Sequence, residues 1–182
     1  SYGNIINSFS TASVSGSVAG GLAGELLNSR SISNSFATGA VNGSIHAGGL
    51  VGWVKSGSIS TSYATGWVIG DISGVGSAGG LFGQVEGGTI PLTNNYYDRR
   101  TTGRTDSRTG VTPLITAQLQ SGTLPSGFNG DIWGVGVGLY PYLKAFHPTT
   151  PQAISGIITD IGGGVGDGYQ VAIYKAGSRL GL

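Results

Sequence analysis

Apolar and small polar residues alternate along much of this chain with a period of two, in short runs that glycine and serine interrupt. In the run 32–37, Ile32, Asn34 and Phe36 fall on one face of an extended chain, and Ser33, Ser35 and Ala37 on the other. In the run 50–55, Leu50, Gly52 and Val54 share one face, and Val51, Trp53 and Lys55 the opposite one. The text then repeats. Phe9, Phe36 and Tyr63 stand 27 residues apart in the frames Ile5-x-Asn7-x-Phe9, Ile32-x-Asn34-x-Phe36 and Ile59-x-Thr61-x-Tyr63, and Leu92-x-Asn94-x-Tyr96 follows after a longer gap. Thr11, Thr38 and Thr65 come two residues after each ring, and Val14, Val41 and Val68 five after. Each unit closes on Gly-Gly-Leu, at Leu22, Leu50 and Leu81, with Leu26, Val54 and Val85 four residues on. Only the third unit is lengthened, by residues 68–77, which read as a loop.

A single unit of this kind cannot bury its apolar side alone, but a stack of them can. The expected fold is all-β: a parallel β-solenoid of about four coils over residues 1–98, with equivalent residues ~4.8 Å apart in ladders. The rows Ile5/Ile32/Ile59/Leu92 and Phe9/Phe36/Tyr63/Tyr96 are both expected in register and facing inward. Asn7 and Asn34 are polar on the apolar face, so they are expected to bond as an amide ladder that Thr61 breaks. Glycine, serine and β-branched residues disfavour helix throughout. The exception is 112–122, where Thr112 suits an N-cap, Pro113 a first turn and Gly122 a stop. Residues 99–147 read as a cap and transition region, with Trp133 and 139–143 packing back onto the last coil. Residues 148–152 read as a linker. Residues 153–182 read as a short β module with a hairpin turn at Ala176-Gly177-Ser178, too few strands to complete a sandwich.

Composition narrows the function classes. Glycine fills 36 of 182 positions and charged residues make up 9%, against about 7% and about 25% in ordinary soluble domains. An apolar fraction of 38% and a mean hydropathy of +0.13 oppose disorder. No strict G-X-Y period is present, which excludes collagen. A net charge of +1 with no long basic run excludes nucleic-acid binding by counterion release. No apolar run approaches ~18 residues, so no transmembrane helix or membrane insertion is expected. There is no cysteine, and His46 and His147 lie far apart, so neither a metal nor a cofactor is expected. The acids are also too few for a Ca²⁺ ladder between coils. Methionine is absent even at position 1, so the sequence is expected to be a processed product or a piece of something longer, without its own signal peptide.

The charge that does exist is concentrated. Asp98, Arg99, Arg100, Arg104, Asp106 and Arg108 crowd one short stretch. One reading is a solenoid cap, which needs a polar outer face. The other is an anion or acidic-glycan contact, in which arginine forks grip carboxylate or sulfate. An enzymatic rival, a carbohydrate-cleaving β-helix, would need two carboxylates flanking the bond. Glu25, Asp71 and Glu86 fall at non-equivalent places, which leaves a lyase built on Asp98 with Arg99 or Arg100.

The frame Asn34-Ser35-Phe36-Ala37-Thr38-Gly39-Ala40-Val41, followed by Gly48-Gly49-Leu50-Val51-Gly52, resembles the GLUG motif of large secreted bacterial proteins that include filamentous-haemagglutinin-like adhesins. Residues 94–122 and 131–143 resemble the segment that closes such an array. Residues 153–182 resemble the opening strands of a carboxypeptidase-regulatory-like or Cna-B-like sandwich. The resemblance implies a non-enzymatic adhesive or scaffold segment, secreted or at the bacterial surface. The uncovered strand edges of the first coil and of 153–182 are expected to pair with like copies, end to end into filaments, or with further coils of a longer parent chain, and host or matrix glycans are the other expected partners. GLUG is a structural motif, so no catalytic residue follows from it.

Overall fold

A computed structural model describes residues 3–70, 77–86 and 89–151, together with the backbone of Ile173–Lys175 and Ser178–Gly181. Residues 71–76 of the expected loop, the glycine stretch 162–168 and most of the expected 153–182 module lie outside the described residues.

The body is a parallel β-solenoid. Coil one supplies β1 (Ile5–Ile6), β2 (Phe9–Ser10), β3 (Val14–Gly20) and β4 (Ala23–Leu26). Coil two supplies β5 (Ser31–Ser33), β6 (Phe36–Ala37), β7 (Val41–Gly48) and β8 (Val51–Val54). Coil three repeats the path with β9 (Ser58–Ser60), β10 (Tyr63–Ala64), β11 (Val68–Gly70), β12 (Ser77–Gly79) and β13 (Phe82–Val85). A partial fourth coil has β14 (Leu92–Thr93) and β15 (Asn95–Asp98), and gives way to a one-turn helix, α1 (Arg99–Thr102). Each strand pairs in parallel with its counterpart in the next coil. The 27-residue spacing is therefore the register itself: Ile5↔Ile32↔Ile59↔Leu92 and Phe9↔Phe36↔Tyr63↔Tyr96. In coil three the pairing with β7 runs to Gly70↔Gly43 and resumes at Ser77↔His46.

The two rows do not face the same way, which corrects the expected inward aromatic row. Asn7, Asn34, Thr61 and Asn94 have φ of 48°, 48°, 46° and 53°. This left-handed conformation is one that asparagine tolerates better than most residues. One such residue turns the chain through a corner and breaks the alternation. Ile32 then lies inside, Phe36 outside, and Ala37 takes the inward place. The amide ladder moves as well, by one residue. Ser35 Oγ accepts from Ser8 N–H, Ser62 Oγ from Ser35 N–H, and Asn95 Oδ1 from Ser62 N–H, at 3.2–3.3 Å. The hydroxyls of Ser8, Ser35 and Ser62 each donate back to the carbonyl two residues earlier. Thr61 does not interrupt the corner row either, because its hydroxyl donates to Asn34 Oδ1 at 2.6 Å.

The Gly-Gly-Leu signature marks a second corner. A Cβ on Gly48 would collide with the Val51 carbonyl, and one on Gly49 with the Gly80 carbonyl of the next coil. After that bend Leu50, Val51 and Val54 all enter one core, so Leu50 and Val51 do not face opposite ways as strict alternation requires. The core interior holds Ile32, Ile59, Leu50, Leu81, Val54 and Tyr97. A second small stack, Ala19, Val41, Ala47 and Val68, fills the bend of the third strands.

The expected helix over 112–122 is corrected too. Residues Val111–Leu114 form β16, a fifth rung on the second sheet, with Val111 opposite Asn95 and Pro113 opposite Tyr97. Proline is tolerated there because the strand lies at the sheet edge and its missing N–H has no ladder partner to lose. The helix shrinks to α2 (Thr116–Leu119), and its N-cap is Ile115, whose N–H is met by Gln118 Oε1 at 2.9 Å. Residues 115–147 then run back along the outside of the solenoid as a strap. Within it β17 (Trp133–Gly136) pairs antiparallel with β18 (Leu139–Leu143). The strap packs on the outer rings: Trp133 lies against Phe36 and Tyr63, Phe128 against Tyr63 and Tyr96, and Phe146 against Phe9, where both rings stay exposed. It thus covers coils one to four rather than the last coil alone. Beyond the linker, β19 (Ile173–Lys175) and β20 (Ser178–Gly181) pair antiparallel; residues 176–177 of the expected turn are not among the described ones.

Candidate functional site

The charged turn 98–108 grows out of β15 and replaces the third and fourth strands of the unfinished coil. Asp98 ends β15 fully buried. As N-cap of α1 it accepts from the N–H groups of Arg100 and Thr101, and its other carboxylate oxygen takes the Tyr140 hydroxyl at 2.6 Å. Gly103, at φ 70°, closes the helix in a left-handed conformation suited to glycine. Arg104 then donates through Nε and Nη2 to the Val68 carbonyl, at 3.1 and 2.8 Å. Asp106 accepts from Gly80 N–H at 2.8 Å, and its backbone carbonyl takes the Tyr97 hydroxyl. These are backbone groups of coil three, so the turn satisfies an edge that would otherwise be open. Arg99, Arg100 and Arg108 are exposed.

The phenols around the turn are held neutral. Burial, then the hydrogen bond to Asp98 and its charge, push Tyr140 up to about 12. Burial, then the nearby Asp106, raise Tyr97. Burial, followed by the proximity of Tyr140, raises Tyr63 well above its ordinary value. The arrangement therefore suits hydrogen-bond donation by tyrosine to buried carboxylate and carbonyl, which fixes the cap on the coil.

The six charged residues named from the sequence thus divide by role. Asp98, Arg104 and Asp106 hold the cap to the solenoid, while Arg99, Arg100 and Arg108 face outward. Sequence reasoning missed Tyr140, which contacts Asp98 from far along the chain. It also missed Trp67, which is 54% exposed beside Gly103. A signal for Trp67 was present: the equivalent positions in the other coils hold Ala40 and Ser13. A second polar cluster lies on the third and fourth strands. There Lys55 Nζ bridges to Glu25 at 3.0 Å and sits 3.8 Å over the Trp53 ring. His46 meets the same ring edge-on, and its Nδ1 lies 3.0 Å from Ser77 Oγ. Among the described residues no three potential metal ligands come together.

These features define a repeat protein: a parallel β-solenoid with one end partly capped by a charged turn. The family model of the GLUG motif matches residues 43–69, one full circuit from the bend of β7 to β11. No curated protein and no solved structure gives a significant match.

Proposed function

We propose that this chain is a non-enzymatic structural and adhesive segment of a secreted bacterial surface or extracellular-matrix protein, working as one stretch of a longer coil stack. The observation that carries the reading is the difference between the two ends of the solenoid. At one end Arg104 and Asp106 meet the backbone of coil three and β16 pairs with β15, while β13 and β14 have no further strand partner among the described residues. At the other, no described residue pairs with the outer edges of β1 to β4, and a cleft of about 320 Å³ lined by Ile5, Ala23 and Leu26 opens into the core. An unpaired parallel edge above an uncovered apolar interior is suited to receive another coil. That coil comes from a longer parent chain or from a like copy. Head-to-tail contacts of this kind that do not close make filaments.

The carboxylate that a lyase reading requires, Asp98, has no exposure and both oxygens engaged, which supports a scaffold over an enzyme. Light scattering on the 182-residue chain is expected to show mass rising with concentration. A concentration-independent monomer with slowly exchanging β3 amides would sink the stacking proposal. Incubation with a polysaccharide panel is expected to release no new reducing ends or unsaturated products, and either product would restore the enzymatic alternative.

A further inference from the structure

Beyond a scaffold role, we infer that the corner formed by Trp67 and the arginines of the capping turn is a binding site for an acidic polysaccharide. The solenoid path does not require an aromatic ring at position 67, since Ala40 and Ser13 fill the same place in coils two and one. Yet Trp67 is held there. The edge of its six-membered ring abuts Gly103, where an added Cβ would lie 2.9 Å from Cζ3 and 3.1 Å from Cη2. Its own backbone carbonyl accepts from Val41 N–H at 2.8 Å. The next residue, Val68, accepts from the Arg104 guanidinium through Nε and Nη2, which ties the capping turn to the strand that carries the ring. Ile69, two residues along and on the same outward face, is 50% exposed and extends the apolar strip.

The charge at this corner is unbalanced on its outer side. Arg99, Arg100 and Arg108 are exposed, and the single ion pair among the described residues, Lys55–Glu25, is elsewhere. Of the two acids of the turn, Asp98 is buried against the α1 amides and Tyr140, while Asp106 is exposed and accepts from Gly80 N–H, which leaves one outer carboxylate against three outer arginines. An exposed aromatic ring against a turn that also carries three exposed arginines matches a pyranose that carries carboxylate or sulfate. The ring takes the C–H face of the sugar, and the forks take the anion in paired hydrogen bonds. A nucleic acid would need a longer basic track than this turn supplies. An anionic bilayer would reward any cation near the surface and would not need the ring.

The test is affinity electrophoresis of the full 182-residue chain through gels containing polygalacturonate or heparin, with dextran as the neutral control. Retardation is expected in at least one acidic gel and not in dextran. Trp67→Ala and Arg100→Gln are each expected to weaken retardation roughly tenfold, about the loss that one stacked ring or one charge-assisted hydrogen bond carries. Lys144→Gln removes the same unit of charge from the strap, and is expected to leave binding unchanged. Melting curves of all three variants establish that they fold. The inference is overturned by no retardation in either acidic gel, by an unaffected Trp67→Ala, or by equal weakening in Lys144→Gln. Tighter binding to single-stranded DNA or to phosphatidylserine vesicles than to both polysaccharides overturns it too.

Discussion

Ser62 shows how one small side chain ties two coils together. Its hydroxyl donates to the Ser60 carbonyl and accepts from the buried Ser35 N–H. Ser62→Ala therefore leaves a buried donor unmet, and should cost ~1–3 kcal/mol in urea unfolding. Ser8→Ala should cost much less, because coil one is partly exposed there. Thr61 offers the opposite opportunity, a β-branched residue at φ 46° where its neighbours in the row are asparagines. Thr61→Asn keeps a polar partner for Asn34 and relieves a left-handed strain of ~1–2 kcal/mol, so the midpoint of unfolding should rise. Tyr140 sets a pH limit. Its phenol titrates at about 12 in the fold, raised first by burial and then by Asp98, against an ordinary value of 10. The neutral form is thus favoured by folding. Its contribution is complete below pH 10 and is lost as pH rises through about 12. Denaturation midpoints measured from pH 8 to 12 should fall over that window, and less steeply in Tyr140→Phe. Tyr63 and Tyr97 keep part of the slope, since burial raises both of them as well.

The strap is held to the solenoid largely by rings. Trp133 is buried between Phe36, Tyr63 and Phe128, and Tyr63 donates its hydroxyl to the Pro141 carbonyl at 2.5 Å. Trp133→Ala should cost ~3–5 kcal/mol. Limited proteolysis should then cut within 115–147 while the β signal of the coils persists in circular dichroism. The coil elements were readable in advance because their ladders repeat the same residues every 27 positions. The facing of Phe36 was not, because period-two reasoning assumes an unbroken strand, and one left-handed Asn34 resets the phase. The helix over 112–122 failed for a related reason. Thr112 and Pro113 have the chemistry of a helix start, but β15 offered Val111–Leu114 a ready sheet edge, and tertiary pairing won over local preference. In the charged turn the arginines were legible by composition. Their division into inward and outward roles depended on Val68, Gly80 and Tyr140, which no local pattern connects to them.

Across the whole molecule, protection should grade from one end to the other. Amides of β3 have a neighbouring coil on one side only, whereas those of β7 lie between β3 and the pair β11 and β12. In dilute solution, where the chain is unpaired, hydrogen exchange should therefore be fastest in coil one and slowest in coils two and three, as expected where stability sums over neighbours. Equal protection of β3 and β7 would show that coil one is covered after all. The strap adds a constraint that an open solenoid lacks. Repeat arrays commonly gain and lose units through unequal recombination, because any unit fits any other. Here Phe146 meets Phe9 in the first coil while Phe128 meets Tyr96 in the fourth, so a strap of fixed reach is fitted to a fixed number of rungs. Losing an inner unit would leave that reach one strand spacing, ~4.8 Å, too long, and gaining one would leave it as much too short. Copy number is thereby frozen beneath the strap, and any variation in length between related chains belongs on the side of coil one.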